Sequence, residues 1–207
     1  MATESAFTTI LHSGRGIKKT EEAREWYRRQ AGRVRRGQQR TRPNQLLLDA
    51  KARGTLRQRL RMPFMIGNMY MFRYNPKLRE SLNYYDTLPL VFPIEQYEDG
   101  FLAINMHYLF PKYRAILMDK LYPLLRNNRM DETTRLRLTY ELLNGTRKYK
   151  YFKPCLHRYL REQVESRYIQ IPVEEWDIAL FLPTDRFKKA TRRKVWAQSR
   201  KDIFLGR

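Results

Sequence analysis

Arg28, Arg29, Arg33, Arg35, Arg36, Arg40 and Arg42 fall within fifteen residues, and Lys188, Lys189, Arg192, Arg193 and Lys194 form a second basic cluster near the other end of the chain. A guanidinium presents a planar fork of donors that matches a phosphate and stays charged at any biological pH, so the chemistry these clusters point to is capture of a polyanion. The plainer alternatives are a solvated helix face, or an arm that meets an acidic protein. Trp26, Tyr27 and Trp196 sit among the cations. They either stack on exposed bases at a strand end or pack onto the core, the more common use of such large rings.

Other chemistries are poorly provided for. The three histidines, His12, His107 and His157, are scattered, and only Cys155 lies close to one of them. Zinc would want four ligands at a recognisable spacing, and a lone thiol is expected to be buried and inert rather than nucleophilic. A metal-dependent nuclease needs clustered carboxylates, commonly with a lysine two residues beyond one of them. Only Asp49–Lys51 fits that tripeptide, inside the first basic region; Glu95, Glu98 and Asp99 read as ordinary exposed turn carboxylates. The sequence has neither a Walker-type phosphate loop nor a Gly-x-Ser-x-Gly elbow. No catalytic residue, metal or cofactor is therefore expected.

Charge segregation sharpens the polyanion reading. The net charge of the 207 residues is +21, of which residues 15–61 carry +12, residues 62–185 only +2, and residues 186–207 +8. A nearly neutral middle between two basic ends points to a polyanionic partner rather than to general solubility. At 42% hydrophobic the chain can build a real core, so wholesale disorder is not expected. One cysteine excludes an internal disulfide and points to a reducing or indifferent compartment. With no apolar run long enough to cross a bilayer and no signal-peptide core, a soluble protein is expected, with no membrane partner.

The elements that must position these residues can be sketched. Three segments follow: a basic N-terminal arm (1–61), a compact α+β core (62–185) and a basic C-terminal helix (186–207). Thr20 caps a first helix whose Glu21 and Glu22 suit the positive end of the helix dipole. Its thin apolar stripe predicts that it orders only against a partner. The runs 68–74, 88–94 and 101–108 predict a small antiparallel sheet or partial barrel over 66–109, with Asp99-Gly100 turning a hairpin. Pro89 and Pro93 place their strand at an edge or on a bulge, and His107 alternates with apolar neighbours as a partly exposed strand residue.

Helices are predicted from Pro111, with Pro123 kinking or ending the first, and from Asp131, with Leu136, Tyr140 and Leu143 on one face and Asn144-Gly145 as its stop. A third is predicted near Pro154, with Leu156, Tyr159, Leu160 and Val164 as its buried stripe. The run 168–172 reads as a short strand and 174–182 as a helical turn. The C-terminal segment reads as a basic helix with Val195 and Trp196 as its apolar contacts.

The stretches "IGNMYMFRYNPK", "YYDTLPLVFPIEQYEDGFLAINMHYLFPKYRA", "LMDKL", "TRLRLTYELLNG" and "EEWDIALFLPTDRFKKA" resemble the DNA end protector proteins of T-even-like contractile-tailed phages and their marine relatives, over roughly residues 66–198. The resemblance implies a non-enzymatic virion protein that binds the ends of packaged double-stranded DNA and shields them from host exonuclease after injection. It also implies a part in completing the filled head, hence partners among head, portal, neck or tail proteins and a place in the virion and in the host cytoplasm. It carries over no site residues. A connector protein whose arms contact neighbouring subunits is the alternative from a different class.

Overall fold

The computed structural model describes residues 21–38, 66–125 and 129–205. Its centre is an open antiparallel sheet of five strands in the order β5-β4-β3-β1-β6, built from β1 (Met69–Met71), β3 (Leu90–Gln96), β4 (Gly100–Asn105), β5 (Leu156–Leu160) and β6 (Ile169–Ile171). A two-residue strand β2 (Tyr85–Asp86) pairs separately with β7 (Phe187–Lys188). The helices are α1 (Glu21–Gln38), α2 (Pro111–Leu125), α3 (Glu132–Gly145), α4 (Trp176–Phe181) and α5 (Arg192–Leu205). The class is α+β, as the sequence predicts, but the sheet is open rather than barrel-like and is completed by strands from beyond residue 109.

Side-chain alternation explains why this sheet is buried on both faces. Met69, Met71, Leu90, Phe92, Ile94 and Ile104 point to the side covered by helices, where Trp176 meets Phe92 edge-on at 4.9 Å. Tyr70, Phe72, Val91, Phe101 and Ala103 point the other way, into a smaller cluster closed by Tyr159, Val164 and Tyr168. Neighbouring rings on that side lie edge-to-face or offset, with Phe101 stacked on Tyr159 at 5.4 Å, the geometry their quadrupoles favour. A strand buried on both faces reads as a continuous apolar run, which is the pattern of Leu88–Ile94.

Pro93 lies in the middle strand rather than at an edge, and the register shifts between Pro93 and Glu95. The irregularity absorbs the missing donor, as expected of a bulge. The hairpin between β3 and β4 closes where Tyr97 N–H donates to the Gly100 carbonyl at 2.8 Å. The reason for glycine there is a close approach: a Cβ at Gly100 would sit 2.0 Å from the backbone oxygen of Tyr159 in β5.

Asp131 caps α3, its Oδ1 accepting from Thr134 N–H at 2.9 Å and its Oδ2 from the Thr134 hydroxyl at 2.7 Å. Pro111 opens α2, and Pro123 is accommodated inside its last turn. The helix predicted near Pro154 does not form. Lys150–Cys155 is a 3-10 segment, and Leu156–Leu160 then pairs with β4 over five residue pairs. The apolar spacing there is compatible with either period, and the open edge of β4 decides it. His107 is not a strand residue either. β4 ends at Asn105, whose Oδ1 accepts from His107 N–H at 2.9 Å and turns the chain into a 3-10 helix that buries the imidazole completely.

Both basic ends pack on the core. Ala23 and Trp26 of α1 and Val195 of α5 are buried in the main cluster. Helix α1 thus finds its ordering surface in its own chain, through a large indole rather than a long apolar stripe. Among the described residues no helix is long and apolar enough to cross a membrane.

The Gly100 contact gives a direct test. Gly100→Ala should destabilise the protein by about 1–3 kcal/mol, because backbone rather than a flexible side chain must move. A urea midpoint unchanged from that of the native chain would refute the close approach.

Candidate nucleic-acid interface

Helix α1 is held by one carboxylate. Glu175, at the end of a 3-10 turn, accepts from Trp26 Nε1 at 2.7 Å, from an Arg29 amino group at 2.9 Å and from Gln30 Nε2 at 3.1 Å. Positions i, i+3 and i+4 share a helix face, so the three donors converge on one acceptor. Gln30 in turn accepts from Arg33 at 2.9 Å. Arg28 lies on the outer side, 70% exposed, near Glu21 at 3.3 Å. At that exposure the pair stabilises little.

The C-terminal cluster divides into used and unused cations. Lys189 has left-handed backbone, with φ 64°, and its ammonium donates to the carbonyls of Arg79, Glu80 and Leu82 at 2.8, 2.8 and 3.2 Å. All three of its donors are thereby occupied in fixing the loop before β2. Arg192 pairs with the nearly buried Asp185 at 2.6 Å. Lys188, Arg193 and Lys194 are exposed and make no side-chain ion pair among the described residues. Of the N-terminal arginines, Arg35 and Arg36 lie on α1, with side chains outside what is described; Arg40, Arg42 and the Asp49–Lys51 tripeptide lie outside the described residues altogether.

The aromatic candidates are placed differently from one another. Trp26 is 2% exposed and its indole N–H is committed to Glu175, so no base can reach it while α1 is docked. Trp196 is half-buried: its Nε1 donates to the His107 carbonyl at 2.8 Å, and the Arg114 and Arg192 guanidinium groups lie over its ring at 5.6 and 5.7 Å. Tyr27, also half-buried, hydrogen-bonds Arg186 and lies under its guanidinium. Burial of a large ring outweighs its stacking use here, because each ring ties a terminal helix to the core.

The Tyr27–Arg186 contact brings α1 against the C-terminal segment and leaves a cleft of about 460 Å³ between them. Arg73, Arg79, Arg186 and Lys188 line it against a single carboxylate, Glu165. Arg73 reaches Glu165 only at 3.5 Å, both groups being roughly two-fifths exposed. A concave surface lined by four cations and one anion has an excess of positive potential suited to a phosphate backbone. Arg73 and Arg79 stand outside the charge runs and escape any search for them, whereas Arg186 opens the basic C-terminal segment. The available signal was Arg73 as the one charged position in an otherwise apolar strand run.

The sequence model of a family described as "Phage T4 terminal DNA protecting protein" matches residues 38–200. The chain belongs to that family. No curated protein and no solved structure matches it. The match covers the sheet, helices α2 to α4 and most of α5, and therefore the Arg73, Arg79, Arg186 and Lys188 walls of the cleft, whereas α1 lies almost wholly before it.

One further constellation in this family member has the form of a catalytic unit. His107 Nδ1–H donates to Asp86 Oδ2 at 2.6 Å, and His107 Nε2 lies 2.9 Å from the Thr184 hydroxyl. A carboxylate, imidazole and hydroxyl in series form a nucleophile-activating relay when the hydroxyl faces a substrate. Here Asp86, His107 and Thr184 are 4%, 0% and 1% exposed, so the hydroxyl is sealed away. Cys155 is likewise buried, and burial pushes its thiol up to about 12, leaving it protonated. Among the described residues, no three of His, Cys, Asp and Glu gather closely enough to hold a metal ion.

The buried pair has a consequence for acid stability. Burial pushes the Asp86 carboxyl up, but the charge and hydrogen bond of His107, with the Leu88 and Arg186 N–H groups, outweigh it and hold the carboxyl below its ordinary range. A depressed carboxyl contributes stability above the unfolded value of about 3.9, and loses it as pH falls through the lower folded value. Asp86→Asn should therefore lower stability at pH 7 by about 3–5 kcal/mol, the usual effect of breaking a buried pair. It should also flatten the loss of stability below about pH 3.9. Urea unfolding at several pH values reads both; a variant as stable as the native chain at pH 7 would refute the pair's role.

Proposed function

We propose that this chain binds the ends of packaged double-stranded DNA and shields them from host exonuclease, without catalysing a reaction of its own. The observation that carries this reading is the basic cleft between α1 and the C-terminal segment, in a member of a terminal-DNA-protecting family. Arg73, Arg79, Arg186 and Lys188 contact phosphates inside the cleft. Arg28, Arg33, Arg193 and Lys194, and from the sequence Arg35, Arg36, Arg40 and Arg42, are further phosphate contacts in this reading. Arg29, Lys189 and Arg192 contribute mainly by holding the scaffold. The protein acts in the virion and, after injection, in the host cytoplasm.

A role in completing the filled head rests on a different surface. The groove between α2 and the segment after α3, about 710 Å³, is lined by Ile116, Leu142, Tyr149 and Tyr151, and the first and the two tyrosines are substantially exposed. Exposed apolar side chains gathered in a groove favour a protein contact, so a head, portal, neck or tail protein is the partner proposed there. The connector reading draws on this groove and is compatible with a DNA-facing cleft on another side.

Two measurements test the proposal. The logarithm of the DNA-binding constant should fall linearly with the logarithm of salt concentration. The combined variant Arg73→Gln, Arg79→Gln, Lys188→Gln should reduce that slope by about 0.9 for each phosphate no longer neutralised. An unchanged slope in a folded variant would remove the cleft from the DNA interface. Purified protein should also slow digestion of linear DNA by an added exonuclease, and leave that DNA intact when supplied with Mg²⁺ alone. Cutting by the protein itself would reverse the non-enzymatic reading.

A further inference from the structure

Next to the basic cleft lies a second cavity of different character. It holds about 440 Å³ and shares Tyr74 and Tyr85 with the cleft as a common wall. That volume falls within the roughly 300–1,000 Å³ of small-ligand sites. Four further aromatic rings, Tyr84, Tyr108, His157 and Tyr159, contribute to its walls. Tyr108 lies against His157 with ring centroids 4.1 Å apart, Tyr84 lies 6.0 Å from Tyr108, and Tyr159 adjoins His157 at 6.4 Å. Leu78 and Leu82 stand at its rim, 69% and 39% exposed, and are among the few large apolar side chains the fold leaves open.

Two cations and two carboxylates share the lining with these rings. Lys77 and Arg158 line its exposed parts, each turned toward a surface carboxylate, Glu162 at 3.9 Å and Asp99 at 2.6 Å. Asp202 lines another part, and the Asp86 carboxylate is enclosed by its own hydrogen bonds. Burial pushes the His157 imidazole down to about 4, so the ring is neutral at physiological pH. Its Nε2–H donates to the Pro154 carbonyl at 3.1 Å, which leaves Nδ1 as an acceptor lone pair. Aromatic side chains beside a neutral imidazole acceptor suit a planar heteroaromatic group that carries donors.

We propose that this aromatic cavity receives the terminal nucleobase of a DNA strand whose phosphates lie along the neighbouring basic cleft. The inference rests on the DNA-binding reading of that cleft and adds what the cleft lacks. Phosphate contacts are alike everywhere along a duplex and cannot distinguish an end. A base at an end has one stacking neighbour and frays readily, so it leaves the helix at lower cost than an internal base. Aromatic side chains then replace the missing stack without regard to sequence, because every base has a π-face. The shared wall of Tyr74 and Tyr85 places the two sites within one nucleotide's connection of each other, and the exposed Leu78 and Leu82 become covered when the base and sugar are seated.

The test uses a linear duplex with 2-aminopurine at its terminal position, the same duplex with 2-aminopurine internal, and a covalently closed circle of equal sequence. With the native protein, the terminal probe should be quenched on binding and the internal probe unchanged. The linear form should bind at least about tenfold tighter than the circle. Leu82→Trp, which narrows the rim at a partly exposed position, and Tyr84→Ala should each erase that preference while leaving the salt slope intact. Circular dichroism identifies folded variants, and Leu82→Trp keeps the test available if Tyr84→Ala fails to fold. Equal affinity for circle and linear duplex, with a normal salt slope, would overturn the base-pocket proposal and leave the cleft reading standing. Absence of salt-dependent binding to either DNA would overturn both. Variants that keep the linear preference but fail to join phage heads would overturn it in favour of a partner protein's side chain in the cavity.

Discussion

The position of the C-terminal segment from Arg186 onward depends on one buried carboxylate. Asp86 accepts from the backbone N–H groups of Leu88 at 3.0 Å and Arg186 at 3.1 Å, from Asn105 Nδ2 at 3.3 Å and from His107 Nδ1–H at 2.6 Å. Burying an unpaired carboxylate is costly, and full occupation of its acceptor sites is what makes burial tolerable. The donors come from the turn between β2 and β3, from β4, from the 3-10 turn after β4 and from the chain entering β7. A single side chain thus fixes the paired strands β2 and β7 against the end of the sheet. Lys188 ends β7 and helix α5 begins soon after it, so their place on the surface is set by a group entirely inside it.

Arg114 acts as a cationic counterpart nearby. Its guanidinium donates to the carbonyls of Leu109 at 2.7 Å and His107 at 3.2 Å, and to that of Leu180. Burial pulls it down to about 10, with Asp185 partly compensating, which still leaves it charged at neutral pH. These three carbonyls lie where the chain enters α2, in the turn after β4, and at the end of α4. Acceptors that the short elements leave unsatisfied are gathered by one fork of donors. The same logic governs the basic ends, where Glu175 holds α1 and Asp185 holds the start of α5. Carboxylates of the nearly neutral middle are used to dock cations of the ends, and this sorts the basic residues into scaffold and free surface.

Much of the core was legible in the sequence because its signals are local. The Asp-Gly hairpin, the Asp131 cap and the helix opening at Pro111 each depend on a few neighbouring residues, and all formed where expected. What was not legible depends on partners far along the chain. The spacing of Leu156, Tyr159 and Leu160 permits a helix, and only the unpaired edge of β4 makes it a strand. His107 reads as a strand position until Asn105 turns the chain beneath it. The site suffered most from this limit. Counting charge in runs found Lys188, but also Lys189 and Arg192, whose partners lie 107–110 residues and seven residues away. It passed over Arg73 and Arg79, which line the same cleft as Lys188 although they lie far earlier in the chain.

The division between a cationic cleft and a neutral aromatic cavity bears on how selectivity can arise without sequence readout. A strand offers the protein two chemically distinct parts, charged phosphates and uncharged bases. Placing a surface with excess cations beside a slot whose two cations are each turned toward a carboxylate fixes which part goes where, because a phosphate in the slot would have to displace those carboxylates. Discrimination between an end and an internal site then needs no contact that recognises an end as such. An internal base must give up its pair and two stacking neighbours to enter the slot, whereas a frayed terminal base gives up one neighbour. On the proposed reading the preference is set by the mechanics of the duplex, and the protein's part is to hold the slot open beside the phosphates. Tyr74 supports that spacing: its hydroxyl accepts from Leu160 N–H at 3.3 Å while its ring stands in the wall between the two sites. Rigid strands on one side and the Asp86-anchored β2 on the other keep that wall in register with the cleft.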